Sequence, residues 1–181
     1  MEKIIQQVIE VLRRGGTILY PTDTIWGIGC DARNADAVER LYAIKERDHS
    51  KSMLVLVENG KWQVKSGERP TTYILSRNAW EPVIGDCIAP NLPAADGSLG
   101  IRVPNHAFCR EVIRRLGAPI VSTSANLSGR PSPATYNDIE DELKQRVDYC
   151  VPPLDEFLSA ETRGSRIVKV DADGRQTIIR P

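Results

Sequence analysis

The run MLVLV, residues 53–57, constrains the fold more than any other stretch. It is apolar without alternation and bounded by polar segments, the signature of a strand buried on both faces. Such a strand needs covering layers, and amphipathic helices supply them. Ile4, Ile5, Val8, Ile9, Val11 and Leu12 recur with helical period, and Gly15-Gly16 stops that helix. Asn34 is expected to cap a second helix over 35–46, with Val38, Leu41, Tyr42 and Ile44 inward. Asn105 caps a third, in which Phe108, Cys109, Val112, Ile113 and Leu116 face inward and Gly117 ends the run. Asn137 with Glu140 predicts a capping box for a helix over 138–146.

Further strands are expected at 17–22, 71–75 and 98–104, and in the apolar start of residues 119–133. SRIVKV and RQTIIR flank DADG, a hairpin signal. Between 58 and 96 the pattern is weak apart from TTYIL, PNLPAADG reads as loop, and the stretch before TTYIL is too short for a helix of its own. Strands alternating with helices, then a closing hairpin, predict an α/β fold: a twisted mixed sheet, parallel and antiparallel, flanked by helices. A length of 181 residues fits one domain over 1–181.

Lys and Arg number 24 and Asp and Glu 24, so the chain is not globally basic, which argues against nucleic-acid binding as its sole role. A local basic groove can still hide in a neutral total. Cys30, Cys87, Cys109 and Cys150 form no C-x-x-C pair, and only His49 and His106 could join them, so no metal site is expected. The cysteines read as small buried thiols of a reducing compartment. No apolar run reaches the roughly 18 residues of a membrane span. Charges interrupt the N-terminal helix, which is therefore no signal peptide, and the chain reads as cytoplasmic.

Three segments carry polar groups where strands begin or end. PIVSTSANLSGRPSP (119–133) passes from Ile120 and Val121 straight into Ser122, Thr123, Ser124 and Asn126, more short donors and acceptors than a turn requires. AIKERDHSKSM (43–53) sets Lys45, Arg47 and Lys51 around a helix C-terminus, where cations complement the dipole or clasp a polyphosphate. YPTDTIWGIGCDA (20–32) sets Thr22, Asp23 and Thr24 beside Trp26, with Gly27 and Gly29 leaving room for close approach. The P-loop, dinucleotide and kinase signatures are missing, as is G-x-S-x-G, and neither histidine sits in a nucleophile motif. Local chemistry alone reaches a polar, cation-rich cleft at strand ends.

Taken in order, YPTDTIWGIGCDA, Lys45-x-Arg47 with Lys51, GSLGIRVP, Ser124-x-Asn126 within STSANLSG, SRIV and the terminal IIRP resemble the YrdC-like family of threonylcarbamoyl-AMP synthases. The resemblance covers most of the chain and implies a YrdC-like domain that joins L-threonine, bicarbonate or CO2, and ATP with its Mg²⁺ into threonylcarbamoyl-AMP and pyrophosphate. The product would pass to a tRNA threonylcarbamoyl-transferase complex that modifies the adenosine beside the anticodon. By the same resemblance Arg47 and Lys51 hold ATP phosphates with Lys45 nearby, and Ser98, Asn126 and Arg180 contact the nucleotide. Thr22, Thr24, Arg102, Ser124 and Ser165 face threonine or its carbamate, and Lys45, Arg47, Ser124 and Asn126 form the catalytic group. The chain departs from the family at Asp48, where proline is common, and at Ala134, where many relatives offer a hydroxyl and Thr135 stands adjacent. No run matching WPGPLT is recognisable. The alternatives are a non-catalytic relative binding double-stranded RNA, tRNA or a nucleotide, and the carbamoyl-transfer role of this domain in hydrogenase maturation.

Overall fold

The expected first helix forms over Glu2–Arg13 (α1) and buries Ile5, Val8, Ile9 and Leu12, the stripe its period predicted. A computed structural model describes residues 1–50, 52–58, 68–85, 88–155 and 163–181. Helix α2 (Ala35–Lys45) starts where Asn34 accepts the amide N–H of Ala37 at 2.9 Å, the N-cap bond its side chain is suited to make. The strand expected in TILYPT is Ile18–Tyr20 (β1), and that in MLVLV is Leu54–Leu56 (β3), with Met53 and Val57 buried at its ends.

Gly27–Asp31 (β2) is a strand that sequence reasoning treated as a site-forming turn. Its glycines lower strand propensity, yet the close packing excludes other residues. A Cβ on Gly29 would lie 2.2 Å from the Val121 carbonyl oxygen and 2.9 Å from the Tyr20 ring. The room left by this glycine thus admits a neighbouring strand's backbone.

TTYIL is strand Thr71–Leu75 (β4) and SLGIRVP contains Leu99–Arg102 (β5). Between them lies a helix absent from the sequence expectation, Arg77–Ile84 (α3), which contains Pro82 and ends at Gly85. Proline and glycine so close together obscured its short period, but Trp80 anchors it, buried and donating from its indole N–H to the Gly97 carbonyl at 3.0 Å. The helix expected after Asn105 is Ala107–Leu116 (α4), with the predicted residues inward and Gly117 in the left-handed conformation at its end. Its N-cap is His106 rather than Asn105, whose amide N–H is turned instead to Asp23 Oδ2 at 3.0 Å.

The apolar start of 119–133 is strand Ile120–Ser124 (β6). The capping box expected at Asn137 and Glu140 is built by Thr135 and Asp138, around a 3-10 turn at Tyr136–Asp138. The helix that follows, Asp141–Arg146 (α5), is shorter than predicted. Tyr149–Cys150 (β7) is too short for any period to betray. The closing hairpin is Arg166–Val170 (β8) with Gln176–Arg180 (β9). Cys30 and Cys109 are buried as expected and Cys150 is half-buried. Cys87 and the short stretch at 59–67 lie outside the described residues.

The strands join one nine-stranded sheet in the order β7-β1-β2-β6-β3-β5-β4-β8-β9. Pairs β1–β7, β3–β5 and β4–β8 are parallel and the others antiparallel, the mixed sheet the element order predicted. Helices α1, α2 and α3 pack against β1, β2 and β5, and α1 packs on α4. Along β3, β5 and β6 the register sets Leu54 beside Gly100 and Ser122, and Val55 beside Ile101 and Val121. Since alternate residues of a strand point to opposite faces, the second row is core, and the first row is free to line something else.

Candidate active site

On that other face lies a cavity of about 390 Å³. Its floor crosses the sheet from Gly27 of β2, through Ser122 and Ser124 of β6, Leu54 of β3 and Arg102 of β5, to Thr72 of β4. The walls come from segments entering strands: the loop after β1, the loop before β3 and the residues before β4 and β8. Five arginines, Arg47, Arg69, Arg102, Arg163 and Arg180, line it, and among the described residues no carboxylate does. A chain of zero net charge therefore holds a strongly positive hollow, which attracts and concentrates anions.

Arg102 sits at its centre with 4% exposure. Its Nη1 donates to Thr24 Oγ1 at 2.9 Å, and its Nη2 lies 3.3 Å from Asp23 Oδ1. Thr22 and Thr24 share a hydroxyl contact of 3.0 Å, and Thr22 Oγ1 donates to the Ile25 carbonyl at 2.8 Å. A hydroxyl has one proton, so Thr24 is the donor to Thr22. The result is a directed chain from guanidinium to Thr24 to Thr22 to carbonyl, which fixes both threonine rotamers. The turn PTDT makes it possible: the Thr24 amide N–H closes on Thr22 Oγ1 at 3.1 Å.

Arg47 enters because α2 ends at Glu46, which has φ 52° and ψ 43°. Glu46 is the one non-glycine residue of positive φ among the described residues, and backbone strain of this kind gathers at functional loops. The Arg47 Nη2 donates to the Ser52 carbonyl at 3.0 Å, and burial lowers its pKa. Asp48 accepts the Ser50 amide at 2.7 Å, so its carboxylate turns the loop on itself.

At the far end Arg180 donates from Nε and Nη2 to the Ser165 carbonyl at 3.0 and 2.6 Å. Burial lowers its pKa first, then the nearby charges of Arg69 and Arg102. Gly164 allows this seat, since a Cβ there would lie 2.9 Å from Arg180 Nη2. Ser165, 3% exposed, shares a hydroxyl contact of 2.7 Å with Thr72.

The structure thus brings together on one cavity Thr22, Thr24, Arg47, Arg102, Ser124, Ser165 and Arg180, seven of the residues expected from sequence. Lys51 lies outside the described residues. Ser98 does not line the cavity and donates its backbone N–H to Asp96 Oδ1 at 2.9 Å, in the turn before β5. Asn126 turns away from it: Nδ2 donates to the Leu127 and Arg130 carbonyls at 3.0 and 2.7 Å, tying its own loop.

Lys45 does not line the cavity either. With 1% exposure its ammonium is held behind the wall, donating to the carbonyls of Ser124 at 2.5 Å and Asn126 at 2.8 Å. Burial first, and then Arg47, pull its pKa down to about 7. Helix geometry explains the inversion: Lys45 falls on the buried face with Leu41 and Tyr42, whereas Arg47 follows the turn at Glu46. The rack of hydroxyls expected in STSAN is therefore Ser122 and Ser124 on the cavity face of β6, with Lys45 fastening its end from behind.

Several polar lining residues escaped sequence reasoning, Ser52 and Thr72 among them. Arg69 and Arg163 each stand just before a strand, and their only sequence signal is that position. Ser132 supplies a hydroxyl near the place where Thr135 was the candidate, and Thr135 is spent on Asp138.

Comparisons with known proteins bear on the family and the fold. The family model Sua5_yciO_yrdC, described as telomere recombination, matches residues 10–181. A threonylcarbamoyl-AMP synthase of Pseudomonas fluorescens is 33% identical over 152 residues, covering 80% of this chain and 82% of that protein. The synthase of Pseudoalteromonas translucida is 31% identical over 180 residues, with 92% of each covered. Among solved structures, P. abyssi Sua5 complexed with L-threonine superposes with a TM-score of 0.77 at 19% identity, covering 98% of this chain. This chain spans 53% of that longer protein. E. coli YciO superposes with a TM-score of 0.75 at 21% identity, covering 99% and 89%.

Proposed function

The chain belongs to the Sua5/YciO/YrdC family, and from that premise we propose that it is an L-threonylcarbamoyladenylate synthase, a nucleotidyltransferase. It joins L-threonine, bicarbonate or CO2, and ATP into threonylcarbamoyl-AMP with release of pyrophosphate. The observation that carries the reading is the cavity lined by five arginines and a row of hydroxyls with no carboxylate among its described residues. Such a lining suits the carboxylate of an amino acid together with the phosphates of a nucleotide.

Threonine is a small zwitterion. Arg102, held by Asp23 and oriented through Thr24, is the partner for its carboxylate. The paired hydroxyls of Ser165 and Thr72 are the partners for its side chain. Its amine, deprotonated from the ammonium form, adds to CO2 to give a carbamate with both protons released to solvent, and a carbamate oxygen then attacks the α-phosphorus of ATP. As that P–O bond forms, the bond to the β-phosphate oxygen breaks and its electrons leave with pyrophosphate. Negative charge is spread over the phosphate oxygens in this step, and Arg47 and Arg180 meet it from opposite ends of the cavity. Orientation and preorganised charge are the catalytic contributions, so the reaction needs no protein nucleophile.

Mg²⁺ enters as part of the nucleotide substrate. Among the described residues no group of three or more His, Cys, Asp or Glu could hold a metal ion. The product is a mixed anhydride and must be consumed by an acyl-transfer step, which we assign to the tRNA threonylcarbamoyl-transferase complex. No helix among the described residues is long and apolar enough to cross a membrane, and a cytoplasmic reaction fits the substrates.

The test is pyrophosphate release from Mg-ATP with L-threonine and bicarbonate added singly and together, with mass spectrometry of the adenylate. Release that requires both, with threonylcarbamoyl-AMP formed, is expected. Folded protein that releases none overturns the assignment.

A further inference from the structure

The loop that carries Arg47 is held from outside the cavity as well as from within it. Between α2 and β3 it reads ERDHSKS (46–52), with no glycine for its left-handed residue and no proline to fix its backbone. The turn out of α2 is closed by the Arg47 amide, which donates to the Tyr42 carbonyl at 3.0 Å, and by the Glu46 amide, which donates to that of Ala43 at 3.2 Å. These are the two bonds of a Schellman motif, whose left-handed position commonly goes to glycine. Here Glu46 takes it, at a steric cost glycine would not incur. The charge of Arg47 also opposes that of Lys45 across the turn, and adds to burial in lowering the lysine's pKa. A strained residue and like charges at its root leave the loop dependent on contacts further along.

One such contact is at Glu46, which meets Arg146 of α5 at 3.0 Å, while Arg146 also donates to the Ile44 carbonyl at 3.1 Å. Another is made by His49. Its ring lies on that of Tyr42, with centroids 4.2 Å apart and planes 25° from parallel, and its Nε2 is 3.2 Å from Glu39 Oε1. Glu39 and Tyr42 are three residues apart, on one face of α2. Tyr42 is buried and His49 exposed, so a loop side chain covers a helix ring. From α2 the Glu39 carboxylate and the Tyr42 phenol face the imidazole; on its own loop Arg47 and Asp48 precede it, and Asp48 accepts the Ser50 amide. Neither His49 nor Glu39 lines the cavity.

We propose that His49 is a positioning residue for nucleotide binding: stacked on Tyr42 and, when protonated, paired with Glu39, it clamps the loop to α2 and so holds Arg47 in the cavity. Histidine is the side chain whose charge ordinarily changes between about pH 5 and 8. The ionic half of the clamp is therefore present in acid and lost as pH rises, while the stack persists. Both ionic partners are more than half exposed, so that half is worth severalfold in affinity at most. The inference rests on the proposed function only in taking ATP as the anion that Arg47 meets.

Calorimetric titration of the full chain with ATP, without threonine, at about pH 5.5 and about pH 8.5 tests it. His49→Ala, which removes stack and pair, is expected to weaken ATP about fivefold in acid. His49→Phe keeps a ring and loses the charge. The ratio of wild-type to His49→Phe affinity is expected to be about threefold in acid and to fall to about one in alkali. Taking the ratio at each pH cancels the titration of the nucleotide's own phosphate. Glu39→Gln should flatten it. A ratio in otherwise wild-type background that ignores pH, or wild-type affinity in His49→Ala, overturns the clamp. A second measurement needs no ligand: tryptic cleavage after Arg47, read by mass spectrometry, should be severalfold faster in His49→Ala, with cleavage after Arg114 in α4 unchanged. Equal rates after Arg47 overturn the clamp. Wild type that binds no ATP at either pH, while this difference in cleavage stands, loses the proposed function and keeps the clamp.

Discussion

The ammonium of Lys45 lies 2.5 Å from the carbonyl oxygen of Ser124, the residue that ends β6 and opens on the cavity. Ser128 returns the bond, its amide donating to the Lys45 carbonyl at 2.9 Å. A buried cation therefore fastens the loop 124–128 to the end of α2. Lys45 is a positioning residue, and this has consequences for stability and pH.

Replacing Lys45 with Met keeps the length and removes the donors, leaving two buried carbonyls without their charged partner. The cost is about 1–3 kcal/mol. We expect Lys45→Met to lower the thermal midpoint and to raise KM for ATP, with Lys45→Arg recovering less than half of the loss because the guanidinium does not fit a point-charge seat. A variant as stable as wild type overturns the role.

The pH dependence has a definite sign. The folded pKa of Lys45 is near 7, below the 10.5 of an ordinary lysine. Below the folded value both states carry the proton, and folding pays the full burial penalty. Between the two values the unfolded chain binds more protons, so stability rises with pH. The difference in unfolding free energy between wild type and Lys45→Met should therefore grow from pH 7 to pH 10. A flat difference contradicts the lowered pKa.

Asp23 and Arg102 are 7% and 4% exposed, so their contact is a buried ion pair. Removing one partner of such a pair costs about 3–5 kcal/mol. Asp23→Asn keeps the shape and an acceptor for the Asn105 amide while uncoupling the charge. It should destabilise the fold by several kcal/mol on that scale, measured by urea unfolding, and raise KM for threonine more than KM for ATP. Equal changes in both constants would show that Arg102 does not serve the threonine end.

Gly164 has an ordinary backbone, so its lack of a Cβ matters only for space. In Gly164→Ala the new methyl meets the far end of the Arg180 side chain, which moves at little cost. Unfolding should shift by less than about 0.5 kcal/mol, as for a surface change, while ATP affinity drops. At Gly29 the neighbour is the rigid Val121 carbonyl, and Gly29→Ala should fail to fold or lose well over about 3 kcal/mol by thermal unfolding.

Periodicity and end signals by themselves determined α1, α2 with its Asn34 cap, α4 up to Gly117, strand β4 and the β8–β9 hairpin, because each is a local match of side-chain pattern to backbone period. The same local reading picked out Thr22, Thr24, Arg47 and Ser124, polar residues at strand ends where burial alone does not explain them, whereas Arg102, Ser165 and Arg180 came only from the resemblance to the YrdC-like family. Tertiary structure decided the rest. β2 is a strand because β6 passes so close to Gly29 that only glycine fits, a fact about two residues, Gly29 and Val121, 92 positions apart in sequence. Lys45 and Arg47, two residues apart, part company because the left-handed turn at Glu46 sends one behind the wall and the other into the cavity. Arg69 and Arg163 meet only through the parallel pairing of β4 with β8. Propensity acts over a few residues, whereas the register between distant strands sets which side chains share a space, and that register comes from the packing of the whole sheet.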